Sequence, residues 1–161
     1  MDSAANNSAS PPRPPLGAMG AKVDASGRLK LPVKVQEYLN ALPDKKLFIT
    51  LNEGIAKLYT NGSWDRNLKV LQSCTTDPDA ADRVALMADF YGSESEMDSS
   101  GRVTLPQELR RDLGLEDQPV QLRFFEDVVK VYKQSDFQAL LSDARRSEKS
   151  DLDVVKRQGF K

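Results

Sequence analysis

The sequence contains no histidine and a single cysteine, Cys74. The missing histidine removes the commonest general base and, with one cysteine present, any Cys/His metal site. One cysteine forms no internal disulfide and fits a reducing compartment. The sequence also lacks a Gly-rich phosphate loop and a nucleophile–base pattern. We therefore predict that the protein is not an enzyme and has no catalytic residue, metal ligand or cofactor.

Long apolar runs are also missing. No stretch approaches the roughly 18 apolar residues that a membrane-spanning helix needs. The N-terminus lacks the apolar core of a secretory signal. These absences predict a cytoplasmic protein that does not bind membranes.

An internal repeat is the strongest organising signal. Residues Asp24 to Pro32 match residues Asp98 to Pro106, and both segments follow the pattern Asp-x-Ser-Gly-Arg-x-x-x-Pro. The match continues beyond this motif and, after a one-residue slip, pairs Lys57 with Lys130. The chain is therefore divided into a first repeat at 16–75, a linking helix at 76–92 and a second repeat at 93–145.

The two ends of the chain differ from the repeats in composition. Residues 1–15 are rich in Ser, Asn, Ala and Pro. Such a segment buries too little apolar surface to offset its ordering entropy, so we predict a disordered N-terminal tail. Residues 146–161 are charged and weakly patterned, and we predict a C-terminal tail there.

Each copy predicts the same order of elements. A short strand enters the Asp-x-Ser-Gly turn, where Asp accepts a backbone hydrogen bond and Gly tolerates positive φ. A strand of alternating character follows, then a short helix, a hairpin and a closing helix. The proposed helix signals are Pro32 and Pro106 at first helical positions, Asn40 and Gly114 as left-handed C-terminal caps, Ser63 as an N-terminal cap, and Ser135 with Gln138 as a capping box.

Neither copy is large enough to fold alone. A unit of about 40 residues rarely does so without disulfides or a metal. Each copy must therefore bury its apolar face against the other. We predict an α+β fold in which two tandem, pseudo-symmetric units exchange β-hairpins to form a small β-barrel with flanking helices.

The doubled motif resembles the MraZ family, which belongs to the AbrB-like, swapped-hairpin class. Gly17, seven residues before Asp24, is similar to a glycine of the family's N-terminal segment. The segment from Phe90 to Asp98 and the pair Leu109-Arg110 are also similar to the family. The first motif carries Ser26 where the family usually has Lys.

The resemblance implies a sequence-specific, DNA-binding transcription regulator associated with the nucleoid. It implies action at the protein's own promoter and at the division and cell-wall gene cluster. It further implies ring-shaped homo-oligomers that engage short direct repeats of double-stranded DNA. The Asp-x-x-x-Arg positions that would carry this function are Asp24, Arg28, Asp98 and Arg102.

The chemistry of these residues supports a division of roles. Arg28 and Arg102 start strands just after tight turns, where a guanidinium can reach a guanine edge or a phosphate. Lys22 and Lys30 belong to the same basic stretch as Arg28 and are further DNA-binding candidates. The alternative is that each Arg forms an ion pair with its Asp and fixes the turn. Phosphate repels Asp24 and Asp98, so we expect these two, with Gly27 and Gly101, to be structural.

Charge is distributed unevenly between the copies. The net charge is −1, so a DNA surface must be a local patch or be assembled from several subunits. Residues 22–46 carry six basic and three acidic side chains, whereas residues 94–117 carry three basic and seven acidic ones. This difference favours the first copy as the DNA face.

Other prominent side chains have structural interpretations. Arg110 and Arg111 close a helix and would complement its dipole. Trp64 and Phe137 occupy matching helix starts and are expected to pack in the core or at a subunit contact.

A competing function remains open. The same features would suit an oligomeric scaffold or antitoxin-like module that captures a partner protein through the N-terminal tail.

Overall fold

The structure is a computed structural model that describes residues 10–161. This part of the chain contains eight strands and five helices. The strands are β1 (Ala18–Val23), β2 (Arg28–Lys30), β3 (Lys46–Asn52), β4 (Ile55–Thr60), β5 (Ser93–Glu96), β6 (Arg102–Thr104), β7 (Gln118–Phe125) and β8 (Val128–Lys133). The helices are α1 (Val33–Ala41), α2 (Asn61–Gln72), α3 (Pro78–Tyr91), α4 (Gln107–Asp112) and α5 (Gln134–Lys156).

All eight strands form one antiparallel sheet in the order β5-β3-β4-β8-β7-β1-β2-β6. The two end strands, β5 and β6, are consecutive in the chain and are joined by the turn that begins at Asp98. The sheet is therefore an almost closed barrel. The predicted α+β class, with a small barrel and flanking helices, is confirmed.

The two halves of the chain are interlocked. Strand β1 of the first half pairs with β7 of the second, and β5 of the second half pairs with β3 of the first. Leu29 faces Val103 and Lys57 faces Lys130, so each of these pairs joins equivalent positions of the repeat. A pseudo-twofold axis passes through both pairs, as the repeat predicts.

The core lies inside the barrel and draws on both halves. In β2 and β6 the central residues, Leu29 and Val103, are fully buried, and their neighbours in the strands are exposed. This alternation is the period-two pattern of a strand with one apolar face. The largest fully buried side chains are Leu29, Leu31, Leu47, Ile49, Leu58, Leu105, Leu109, Leu115, Leu122, Val23, Val35 and Val103.

Three of the four predicted boundaries of the short helices are wrong. Pro32 and Pro106 are N-cap residues, not first helical residues, because the chain is still extended at ψ 151° and 141°. Asn40 lies inside α1, which ends at an extended Leu42. The following residue is Pro43, and a residue that precedes proline disfavours helical geometry. Gly114, by contrast, has φ +62° and ends α4 as predicted.

The predicted caps of the closing helices are also wrong. Strand β4 leads directly into α2, and the Thr60 side chain accepts the N–H of Ser63 at 3.1 Å. Ser63 is therefore one turn inside the helix. Strand β8 leads directly into α5, whose N-cap is Lys133, so Ser135 and Gln138 form no capping box. In both cases the helix begins earlier than the cap signals indicated.

The aromatic residues at these helix starts pack as expected. Trp64 contacts Phe48 and Tyr59, with ring centroids 4.6 and 5.0 Å apart. In the second half, Phe137 lies 5.8 Å from the Tyr132 ring. Helix α2 therefore packs on β3 and β4 through Trp64.

The predicted N-terminal tail at 1–15 lies outside the described residues except for 10–15, which contain no helix or strand. Helix α5 extends through Lys156 and so includes residues 146–156, which the sequence placed in a C-terminal tail. None of its residues is buried. No helix within residues 10–161 combines the length and apolar character needed to cross a membrane.

The Leu29–Val103 contact provides a test of the interlocked core. Leu29→Ala should lower the free energy of unfolding by about 2–5 kcal/mol, because it opens a cavity where the halves cross. Val33→Ala, at a side chain 67% exposed, should change it by less than about 0.5 kcal/mol. Urea unfolding followed by circular dichroism measures both, and equal effects would contradict this assignment of the core.

Candidate nucleic-acid interface

Strands β2 and β6 form a two-stranded ribbon on the pseudo-twofold axis. Arg28 faces Thr104 and Lys30 faces Arg102 across the ribbon. These four side chains lie on its outer face, because Leu29 and Val103 occupy the inner one. The fold therefore brings Arg28, Lys30 and Arg102 together on one exposed surface, which we call the basic ribbon.

An Asp-x-Ser-Gly turn flanks each end of the ribbon. In the first turn, Asp24 Oδ1 accepts the N–H of Ser26 at 2.9 Å, the Ser26 hydroxyl at 2.8 Å and the N–H of Arg28 at 2.9 Å. In the second turn, Asp98 Oδ1 accepts the N–H of Ser100 at 2.8 Å and that of Arg102 at 3.0 Å. Each aspartate thus fixes the backbone from which its arginine projects.

Gly27 and Gly101 are required in these turns. Their φ values are +83° and +77°, in the left-handed region that other residues avoid. Both glycines are also buried. The predicted structural role of the Asp-x-Ser-Gly segment therefore has a geometric basis in both copies.

The same hydrogen bonds make the two carboxyl groups more acidic. The N–H of Arg28, followed by the Ser26 hydroxyl, lowers the pKa of Asp24 below its ordinary value of 3.8. The N–H of Arg102 is the largest cause of the lowered pKa of Asp98, to which the charges of Arg102 and Arg28 also contribute. Both groups are therefore charged at neutral pH.

The alternative role for the arginines, an ion pair with the aspartate of the turn, does not occur. Among residues 10–161, no carboxylate oxygen lies within 4.0 Å of the guanidinium of Arg28 or Arg102. Both arginines are exposed. Their donors therefore face solvent and can bind an external acceptor.

The two lysine candidates have partners within the protein. Lys22, exposed on β1, lies 3.2 Å from Asp117. The Lys30 ammonium donates to the backbone oxygen of Ser100 in the second turn. The surface combines side chains from both copies, whereas the charge counts favoured the first copy alone.

Two supporting side chains were not identified from the sequence. Arg110, expected to complement a helix dipole, instead donates to Leu105 O at 2.7 Å and pairs with Glu116 at 3.0 Å. It fills the space beside Gly27, where an added Cβ would overlap it. Gln36 is in the same position beside Gly101. Arg110 and Gln36 occupy equivalent positions of the repeat. This equivalence was the one sequence signal that could have indicated their shared role beside the two glycines.

Comparison with known proteins gives consistent results. The family model described as "MraZ protein, putative antitoxin-like" matches residues 92–157. A transcriptional regulator MraZ from Marinobacter nauticus is 32% identical over 104 residues, which are 63% of this chain and 69% of that protein. One from Shewanella piezotolerans is 33% identical over 116 residues, covering 68% of this chain and 76% of that protein.

A third relative is matched over a smaller share of its length. The transcriptional regulator MraZ of Acidobacterium capsulatum is 33% identical over 90 residues, which are 55% of this chain. The match spans 62% of that relative, which is less than two thirds of its length.

The interlocked barrel and its doubled Asp-x-Ser-Gly-Arg turn define the AbrB-like class of swapped-hairpin folds. Within this class, the chain belongs to the MraZ family.

The acidity of the turn aspartates predicts a pH dependence of stability. Because the pKa of Asp24 and of Asp98 is lowered in the folded state, their charged forms stabilise the fold above pH 4. This contribution should be lost as the pH falls through the lowered values. Unfolding of the wild type and of Asp24→Asn between pH 6 and pH 2.5 should therefore show a stability difference that shrinks on acidification. Carboxyl NMR titrations with midpoints at or above 3.8 would contradict the assignment.

Proposed function

We propose that this protein is a sequence-specific transcription regulator that binds double-stranded DNA through the basic ribbon. The observation that carries the proposal is the grouping of Arg28, Lys30 and Arg102 on one exposed face, with both guanidinium groups free of carboxylate partners within residues 10–161. The names of the relatives support a role in transcription.

The two-stranded form of the ribbon suits the DNA major groove. That groove is about 12 Å wide and admits a two-stranded β-ribbon. Arg28 and Arg102 would contact guanine edges or phosphates, because a guanidinium can donate two parallel hydrogen bonds. Lys30 would contact phosphates, whereas Lys22 would contribute less, because its ammonium lies 3.2 Å from the carboxylate of Asp117. Asp24 and Asp98 would contribute indirectly, by fixing the backbone from which each arginine projects.

The proposed targets follow from the family resemblance. They are short direct repeats near the protein's own promoter and in the division and cell-wall gene cluster, so the protein would act in the cytoplasm at the nucleoid. The proposal includes no catalysis and no cofactor. Because the net charge is −1, affinity would depend on several ribbons acting together in a homo-oligomer, for which we propose a ring.

Two apolar surfaces support self-association. Helix α3 exposes Val84, Leu86, Met87 and Phe90, each at least 49% accessible. A groove of about 410 Å³ lies between α5 and the start of β1. Its lining residues are Gly17, Ala18, Arg123, Phe124, Tyr132, Phe137, Leu140, Leu141 and Ala144. Contact between unlike surfaces of identical subunits produces a ring when the rotation closes.

The second candidate is a protein-interaction scaffold or antitoxin-like module. The same groove beside α5 favours it, since an apolar groove can also receive a segment of a partner protein. The two candidates differ in whether specific DNA binding depends on the ribbon arginines.

Arg28→Ala and Arg102→Ala test the regulator proposal. Each should weaken binding to the DNA upstream of the protein's own gene by about 1–3 kcal/mol if it contacts a base, or reduce the salt slope by about 0.9 if it contacts a phosphate. Fluorescence anisotropy over a salt series measures both effects.

Lys69→Ala is the matched control, because it removes one positive charge from the exposed surface of α2, which the proposed assembly does not use. It should leave the affinity for DNA unchanged. Equal losses in all three variants would point to net charge and contradict a role for the ribbon. Absence of specific binding by the wild type would favour the scaffold.

Sedimentation tests the proposed assembly. Met87→Glu or Leu140→Glu should reduce the particle mass, because a charge would be buried at the contact. Val70→Glu, at an exposed residue of α2, should not change it. A wild type that sediments as one subunit at micromolar concentration would be incompatible with the ring.

A further inference from the structure

The first turn, residues 24–27, is held in place by the second half of the chain. Residues 110–117, which are the last residues of α4 and the loop that leads to β7, contact this turn and the neighbouring β1 at three points. The contacts involve Arg110, the backbone of Asp117 and the carboxylate of Asp117. We call residues 110–117 the clamp.

Arg110 provides the buried part of the clamp. Its side chain is 17% exposed and lies against Gly27, with no space between them for a Cβ. It donates to Leu105 O, and the Leu105 N–H in turn donates to Gly27 O at 2.9 Å. Glu116 pairs with Arg110 at 3.0 Å and balances its charge. The arginine is thus fixed by ionic and neutral bonds and fixes Gly27 in turn.

Asp117 provides the exposed part. It has φ +52° and directs its N–H to the carbonyl of Asp24 at 3.2 Å. Its carboxylate lies 3.2 Å from the Lys22 ammonium. One residue therefore holds the first turn through its backbone and neutralises a neighbouring lysine through its side chain.

The second turn, residues 98–101, is supported by a different set of contacts. The Lys30 ammonium donates to the carbonyl of Ser100. Gln36 takes the place of Arg110 and makes a neutral hydrogen bond to Leu31 O at 2.7 Å. Asp44 takes the place of Asp117, but its carboxylate accepts from the N–H of Lys46 and from Asn61. The pseudo-twofold symmetry is therefore broken where the turns are supported.

We propose that the clamp is a specificity device in which Arg110 and Asp117 are positioning residues for the Arg28 turn. This inference rests on the proposed DNA-binding function. A fixed turn presents Arg28 in one geometry, which favours the correct base over others. Pairing of Lys22 with Asp117 removes one cation from the phosphate contacts that drive non-specific binding.

Asp117→Asn separates these effects from folding. Asn also tolerates positive φ, so the backbone bond to Asp24 should persist. Freeing Lys22 should raise the affinity for non-specific DNA several-fold at low salt and steepen its salt slope by up to about 0.9. The ratio of specific to non-specific affinity should fall. Glu126→Gln, at an exposed residue at the other end of β7, is the matched control and should change neither quantity.

Arg110→Gln places the same side chain beside Gly27 that Gln36 places beside Gly101. Amide hydrogen exchange then compares the N–H groups of Gly27 and Gly101, which donate to equivalent carbonyls at 3.0 Å. In the wild type, Gly27 should exchange more slowly than Gly101. In Arg110→Gln, Gly27 should approach the rate of Gly101, and Arg110→Lys should restore part of the difference.

The outcomes distinguish the clamp from the proposed function. Equal exchange of Gly27 and Gly101 in the wild type would overturn the clamp, whatever the protein does with DNA. An Asp117→Asn variant with an unchanged affinity ratio would overturn its role in specificity. Absence of DNA binding by the wild type would instead overturn the proposed function and, with it, the role of the clamp in specificity. The exchange rates of Gly27 and Gly101 would still decide whether the clamp exists.

Discussion

The antiparallel contact between β2 and β6 is the interaction on which the rest of the molecule depends. Leu29 and Val103 are fully buried against each other's strands at the pseudo-twofold axis. Each strand end is fixed by a bond from the other half, Leu31 N–H to Gly101 O and Leu105 N–H to Gly27 O, both at 2.9 Å. Because each half supplies the strand that pairs with the other, the two halves share one hydrophobic core. The same contact places the basic side chains of both copies on one outer surface.

The two turns separate positive from negative charge at that surface. The carboxylate of each aspartate accepts hydrogen bonds from the backbone of its own turn. Each arginine follows its aspartate by only four residues, yet its guanidinium group points away from the carboxylate into solvent. A protein with a net charge of −1 can thus present a local group of free cations. Local arrangement, not overall charge, decides which ligands such a surface attracts.

The acidic character of the second half has a structural explanation at two positions. Glu116 balances Arg110 in the partly buried clamp, and Asp117 pairs with Lys22. Neither acid has a charged equivalent that supports the second turn, since Asp44 bonds elsewhere. The pseudo-twofold symmetry therefore holds in the core, where the two halves pack together. It does not hold at the side chains that contact the two turns.

The sequence by itself determined the repeat, the Asp-x-Ser-Gly turns and the alternating strands, because these depend on residues within a few positions of each other. The exchange of hairpins followed from the small size of each copy, which must bury its apolar face against the other. It also predicted that Arg28 and Arg102 project outward, because each starts a strand just after a turn. The tertiary structure decided three further features. These are the helix caps at Thr60 and Lys133, the end of α1 at Leu42 and the role of Arg110. Each depends on where a strand stops pairing or on a partner distant in the chain, and local pattern carries no information about such a partner.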